Sequence, residues 1–146
     1  MFCKTHHKTI ENIIKISHSF DDVYVINDYH NKNDSEFKYL PPHCDSFGSA
    51  RLYSYEKQLK QPFTYLSKNT LSPFYNEHVV KSILKSGTKV CVVGFLASID
   101  IIATCLDLIQ RGVEVLTDFS AINDSDEKNL ELAKNYLTLI GVKQHI

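Results

Sequence analysis

Apolar and polar residues follow two different periods along this chain, and the two periods alternate. Four short runs, at 23–27, 63–67, 89–94 and 113–117, predict strands. The runs at 23–27 and 89–94 are apolar at successive positions, which is typical of strands buried on both faces of a parallel sheet. Between and after these runs, apolar residues recur at helical spacing.

Helices are predicted over 9–17 and 76–85, and two more follow the last two strands. The clearest has one apolar face, made of Ile99, Ile102, Ala103, Leu106 and Ile109. Arg111 and Gly112 end it as a last-turn cation and a C-cap. Asp124 with Glu127 makes a capping-box-like start to the final helix, which runs up to Gly141. This order predicts an α/β fold, a three-layer α/β/α sandwich around a mainly parallel, Rossmann-like sheet.

Length and composition limit the classes of partner. The 146 residues suit one domain, 1–146, and 16 basic against 17 acidic residues give no field that would attract nucleic acid or an anionic membrane. The four cysteines are scattered with no Cys-x-x-Cys pair, and the amino terminus lacks the apolar region of a signal peptide. We therefore expect a cytoplasmic protein with neither nucleic-acid nor membrane partners.

Three metal-ligating side chains follow the first predicted strand. Asp28 and His30 come directly after it, and residues i and i+2 of an extended chain point to the same side. His43 lies in the next loop, 31–54, which is expected to cross the carboxyl edge of the sheet. Two imidazoles and a carboxylate leave coordination positions open, as in catalytic Zn, Fe(II) or Mn sites. The alternative is that Asp28 caps a turn, His30 is half-exposed and His43 merely follows two prolines.

Several motifs resemble one known family in the same order along the chain. The first is Asp28-Tyr-His30, then Phe37, then Pro41-Pro42-His43-Cys44 with Gly48. The second is Lys68-Asn-Thr-Leu-Ser72-Pro-Phe74, and the third runs ungapped from Gly94 through Asp100 to Gly112. Together they resemble the nicotinamidase branch of the isochorismatase-like (cysteine hydrolase) superfamily.

The resemblance implies a fold, a chemistry and a set of roles. Asp28, His30 and His43 would bind a divalent metal (Zn, Fe or Mn), and Lys68 would be one of three catalytic residues. The substrate would be a small amide such as nicotinamide, whose pyridine nitrogen the metal holds while a cysteine thiolate attacks the carboxamide. Asp100 stands at the position of that cysteine. Self-association into a homo-oligomer is left open, since members of the family commonly self-associate.

The sequence departs from the family pattern in two ways. A carboxylate at Asp100 would attack an amide through an anhydride-like intermediate, a much poorer route than a thioester, and Cys105 is expected in the core. Family members also begin with a central strand that ends in Asp-x-Gln, a motif absent from this chain. Either coding sequence is missing upstream, or the domain lacks its N-terminal strand and needs strand rearrangement or a partner chain to cover the exposed edges.

These departures favour an impaired hydrolase or pseudoenzyme that still binds a metal or a pyridine-like ligand. An active amidase is one alternative. Another is vinyl ether hydrolysis of the isochorismatase type, in which Asp100 would supply a proton, although that branch does not use the metal residues. A non-catalytic binding or interaction protein remains a further alternative. Asp34 stands where relatives often have another histidine, and it could equally be a turn residue.

Overall fold

The computed structural model describes residues 6–39, 41–44, 56–85 and 89–145. Its strands are β1 (Tyr24–Asp28), β2 (Thr64–Lys68), β3 (Lys89–Cys91), β4 (Glu114–Thr117) and β5 (Lys143–Gln144). Its α-helices are α1 (His6–Ser17), α2 (Glu77–Ile83), α3 (Ile102–Gln110) and α4 (Glu127–Leu139). Within the predicted loop 31–54, residue 40 and residues 45–54, including Gly48, lie outside the described part of the chain.

All strand pairs are parallel, which confirms the predicted α/β class. β1 pairs with β2 in a register that sets Asp28 opposite Lys68, and β3, β4 and β5 form a second sheet in that order. The described strands thus form two parallel sheets, one of two strands and one of three. β5 was not predicted, and the strand predicted over 89–94 is regular only to Cys91, with Gly94 making an isolated parallel bridge to Ile122.

The core forms mainly around α3. Leu108 and Cys105 are fully buried, so the prediction that Cys105 is a core residue is confirmed. The core cluster also includes Phe74, Val79 and Leu137. Among the described residues, no helix is long and apolar enough to cross a membrane.

Both long C-terminal helices end at a glycine in the left-handed region. Gly112 has φ +74° and Gly141 has φ +89°. In each case the next residue closes the helix, since Val113 N–H donates to Leu108 O at 3.1 Å and Val142 N–H donates to Leu137 O at 3.0 Å. The prediction that α3 ends at Arg111 and Gly112 is confirmed, although the C-cap itself is Arg111 and the left-handed Gly112 follows it.

The amino ends of the same helices differ from the prediction. The N-cap of α4 is Asp126, whose side chain accepts a hydrogen bond from Asn129 N–H at 2.8 Å, so the assignment of Asp124 as the cap was wrong. Asp124 instead accepts from Ser98 N–H at 2.6 Å. The predicted start of α3 is a wider π-helical turn, Ala97–Ile101, in which Ile101 N–H donates to Leu96 O at 3.1 Å.

Candidate metal centre and adjacent ion cluster

The three predicted metal ligands lie together beyond the carboxyl end of β1. Asp28 is the last residue of that strand, His30 follows two residues later, and His43 comes from the connection to β2. Each offers a ligand atom within 4.8 Å of the other two. His30 is only 2% exposed, which contradicts the alternative in which this ring is half-exposed. An aspartate oxygen and two imidazoles at this separation suit a divalent cation with open coordination positions.

The two imidazole rings are oriented by neighbours on the far side. His43 Nδ1 donates to Pro41 O at 2.9 Å, because a carbonyl can only accept. His30 Nδ1 lies 3.2 Å from Asp34 Oδ2. When Nδ1 carries the proton in these contacts, the Nε2 lone pair is the one available to a cation. His30 N–H also donates to Cys44 O at 3.0 Å, which joins the His30 segment to the His43 segment.

Asp34 both stabilises a turn and contacts the candidate metal site. Its Oδ2 accepts from Asn31 N–H at 2.8 Å and also faces His30. The hydrogen bond from the Asn31 backbone is the main cause of a lowered pKa at Asp34, and the His30 contact adds to it against a smaller opposing effect of burial. Asp34 is thus an ionised acceptor that fixes the ring of His30.

Glu36 is a residue of this site that sequence reasoning missed. It lies in a short 3-10 turn, Ser35–Lys38, and its Oε1 is 3.4 Å from His43 Nε2 while its Oε2 is 4.0 Å from His30 Nε2. The adjacent Phe37 packs against both rings, with centroid separations of 5.2 Å to His30 and 5.6 Å to His43. A second carboxylate therefore faces the two nitrogens that remain for a cation. The only signal in the sequence was its position beside Phe37.

Lys68 links the candidate metal residues to Asp100. The β1–β2 register sets Lys68 opposite Asp28, and its Nζ contacts Asp28 Oδ1 as an ion pair. That oxygen is buried and has no hydrogen bond of acceptable geometry among the described residues. Lys68 Nζ also lies 2.6 Å from Asp100 Oδ1 and donates to Thr70 O at 3.1 Å. One ammonium thus lies between two carboxylates.

Burial and charge act in opposite directions on this ion cluster. Burial alone would lower the pKa of Lys68, but the charges of Asp28 and Asp100 outweigh it and raise that pKa. Burial raises the pKa of Asp100, and Asp28 adds to this, while Lys68 opposes both. The lysine is therefore held as a cation, and it keeps a partly desolvated carboxylate beside it.

Two cysteines flank Asp100 in the sequence, the half-buried Cys91 and the buried Cys105. Burial raises the pKa of Cys91 to about 12, and the same cause raises that of Cys105 to about 12. The thiolate is the reactive form of cysteine, so both side chains are unreactive near neutral pH.

The structure brings together the five predicted site residues in two adjoining groups. One group is Asp28, His30 and His43, and the other is Lys68 and Asp100, which lie beside Asp28.

Solved structures of known proteins share the fold of this chain, whereas sequence comparisons find no match. No protein-family model and no curated protein sequence matches the chain. Among solved structures, a pyrazinamidase/nicotinamidase from Streptococcus mutans is similar with a TM-score of 0.80 at 20% identity, over 97% of this chain and 87% of that one.

Two further solved structures show the same likeness. An isochorismatase-like hydrolase from Alkaliphilus metalliredigens gives a TM-score of 0.83 at 18% identity, covering 97% of this chain and 82% of that chain. A pyrazinamidase of Pyrococcus horikoshii in complex with zinc gives 0.78 at 19% identity, covering 95% and 85%. The chain therefore has the fold of the isochorismatase-like hydrolases.

Proposed function

We propose that this domain is a nicotinamidase-like member of the isochorismatase-like hydrolases that binds a divalent metal and a small amide but hydrolyses it poorly or not at all. The metal residues are Asp28, His30 and His43, and the ligand class is a pyridine carboxamide such as nicotinamide. The observation that carries this proposal is the Lys68–Asp100 ion pair at 2.6 Å, at the position where the family has its nucleophile.

The donor set supports the metal part of the proposal. One ring nitrogen of each imidazole and an oxygen of the Asp28 carboxylate lie close together, and Asp34 and the Pro41 carbonyl contact the rings from behind. Such outer contacts fix the ring orientation and raise the basicity of the ligand nitrogen. Zn, Fe(II) or Mn bound here would supply a Lewis acid able to hold a ring nitrogen of the ligand. Glu36 adds negative charge next to the same nitrogens.

The ion cluster supports impaired catalysis. Attack of a carboxylate on an amide would form an anhydride-like intermediate, so Asp100 cannot replace a thiolate efficiently. Lys68 is kept protonated by Asp28 and Asp100, and so it cannot accept a proton near neutral pH. Cys91 and Cys105 offer no substitute nucleophile because the pKa of each is raised to about 12.

Asp100 also supports a second candidate function. Because burial raises the pKa of this carboxyl, it has some capacity to hold and deliver a proton, as vinyl ether hydrolysis requires. The neighbouring Lys68 cation opposes that shift, and it stabilises the ionised form instead. We therefore propose an amide as the ligand, and a vinyl ether is the second candidate substrate.

Ammonia release from nicotinamide tests the catalytic part. The metal-supplemented protein and the Asp100→Asn variant are expected to stay at background. Asp100→Cys is expected to exceed both, since a thiol beside the Lys68 cation would ionise more readily. Asp100→Asn is the matched control, because it changes the charge without adding a thiol. Turnover by the unaltered protein on the order of 1 per second or faster would overturn the proposal.

A further inference from the structure

Asp28 belongs to both halves of the candidate site. It is one of the three candidate metal ligands, whose ligand atoms lie within 4.8 Å of one another. The same carboxylate also forms an ion pair with Lys68 through its Oδ1 atom. The parallel register of β1 and β2 sets these two residues opposite each other at the ends of their strands. A divalent cation and the Lys68 ammonium would therefore lie next to the same carboxylate.

The contact between Lys68 and Asp28 is mainly one of charge. Lys68 Nζ donates hydrogen bonds to Thr70 O at 3.1 Å and to Asp100 Oδ1 at 2.6 Å. Asp28 Oδ1 is buried and has no hydrogen bond of acceptable geometry among the described residues. The position of the ammonium is thus fixed by Thr70 and Asp100. Lys68 therefore acts on Asp28 through its charge more than by orienting the carboxylate.

The charge of Lys68 is poorly screened by solvent. Its side chain is only 10% exposed, and the side chains of Asp100 and Asp28 are 16% and 29% exposed. Charges in such a setting interact at a lower effective dielectric constant than exposed charges do, and dissolved salt weakens them less. A fixed ammonium beside a metal ligand consequently repels a divalent cation that approaches that ligand.

Carboxylates around the two imidazole rings act in the opposite direction. The carboxylates that contact either the rings or the lysine are Asp28, Asp34, Glu36 and Asp100. Four carboxylates against one ammonium leave an excess of three negative charges around neutral rings. This excess attracts a divalent cation in spite of Lys68. The lysine is therefore expected to weaken metal binding without abolishing it.

We propose that Lys68 competes with a divalent metal for Asp28 and thereby sets the metal affinity of the site. This inference rests on the metal part of the proposed function and gives Lys68 a role that does not depend on catalysis. Coupling between two partners of one group is reciprocal. A bound metal thus weakens the pair of Lys68 with Asp28 by the same factor by which Lys68 weakens metal binding.

Calorimetric titration of the whole chain with Zn²⁺ alone tests the competition. Lys68→Met removes the charge at nearly the same side-chain length, and it should bind Zn²⁺ at least about tenfold more tightly than the unaltered protein. Equal or weaker binding by this variant would overturn the proposal, because the lysine would then support Asp28 as a ligand. The control is Lys38→Met, which removes an exposed cation two residues beyond Glu36. It should change the affinity by less than about threefold.

A second pair of variants repeats the comparison without an unpaired carboxylate at position 100. Asp100→Asn keeps the ion pair of Lys68 with Asp28, and the double variant Lys68→Met with Asp100→Asn differs from it only in the lysine. The double variant should bind Zn²⁺ at least about tenfold more tightly than Asp100→Asn. The same affinity in both members of the pair would refute the proposal, whether or not Lys68→Met alone folds.

Urea unfolding with and without metal measures the reciprocal effect. Mn²⁺ is the probe here, because it prefers oxygen ligands to the thiolates of the unfolded chain. Saturating Mn²⁺ should raise the urea midpoint of the double variant more than that of Asp100→Asn, since the metal replaces the missing cation beside Asp28. An equal or smaller rise in the double variant would contradict the competition.

His43→Ala separates failure of this inference from failure of the proposed function. If Zn²⁺ binding is lost in His43→Ala but is equally tight with and without Lys68, only the competition is refuted. If neither the unaltered protein nor any Lys68 variant binds Zn²⁺ in a manner that requires His43, the metal part of the proposed function is refuted as well.

Discussion

Lys68 Nζ lies 2.6 Å from Asp100 Oδ1, although 32 residues separate the two in sequence. The contact joins the end of β2 to the π-helical turn Ala97–Ile101. Since Lys68 also contacts Asp28, a single ammonium pairs with two carboxylates in a largely buried setting. The position that resembles a nucleophile site is thereby occupied by an ion pair.

Lys68→Met should destabilise the fold strongly. The substitution keeps the length of the side chain but leaves Asp28 and Asp100 facing each other without a cation, which typically costs about 3–5 kcal/mol. Urea unfolding would measure the loss. The matched control is Lys81→Met, which breaks an exposed pair with Glu77 and should cost about 0.5 kcal/mol or less. Equal, small effects of both substitutions would show that the ion cluster is not buried as described.

Asp124→Asn should destabilise the chain, with a pH dependence of known sign. Asp124 is 3% exposed and accepts from Ser98 N–H through Oδ2 and from Ser125 N–H through Oδ1. Burial alone would raise the pKa of Asp124, but these hydrogen bonds outweigh it and lower that pKa. An amide retains only one of the two acceptors, so a loss of about 1–3 kcal/mol is expected near neutral pH.

The pH series for that variant follows from the lowered pKa. The stabilising contribution of Asp124 is fully present above the unfolded-state value of 3.8 and is lost as pH falls through the lower folded-state pKa. The difference in unfolding free energy between the protein and Asp124→Asn should therefore shrink below about pH 4. A difference that grows on acidification would have the wrong sign for this account.

Asp34→Asn should weaken metal binding without removing a ligand. The substitution takes away the charge that orients His30, and loss of such outer contacts commonly lowers metal affinity about 10- to 100-fold. Calorimetric titration with Zn²⁺ would measure the change. Asp118→Asn is a suitable control, because Asp118 accepts from Ser120 N–H at 2.7 Å in another turn. Metal affinity equal in both variants would remove Asp34 from the site.

Much of the fold could be predicted because its determinants are local. The apolar runs located four of the five strands, and Gly112 gave the end of α3 because few other residues adopt its positive φ. β5 was missed since Lys143 and Gln144 are both exposed and carry no apolar pattern. Asp124 and Asp126 are equally good caps by residue type. Only the tertiary contact of Asp124 with Ser98 decides between them.

The sequence predicted which residues form the candidate site, but not how they contact one another. Spacing and resemblance identified Asp28, His30, His43, Lys68 and Asp100. Neither indicates that Lys68 lies between Asp28 and Asp100, because that depends on the pairing of β1 with β2. Glu36 was missed for the same reason, since its approach to both rings depends on how the turn Ser35–Lys38 packs against them.

Metal content is the most direct test of the central claim that Asp28, His30 and His43 form a metal site. The protein would be equilibrated with Zn²⁺, Fe²⁺ or Mn²⁺, desalted, and analysed for metal content by inductively coupled plasma mass spectrometry. The variant His43→Ala and the control His78→Ala, which changes an exposed histidine, would be treated in the same way. We expect about one ion per chain in the unaltered protein and in His78→Ala, and its loss in His43→Ala. An absence of bound metal in the unaltered protein, or undiminished metal in His43→Ala, would contradict it.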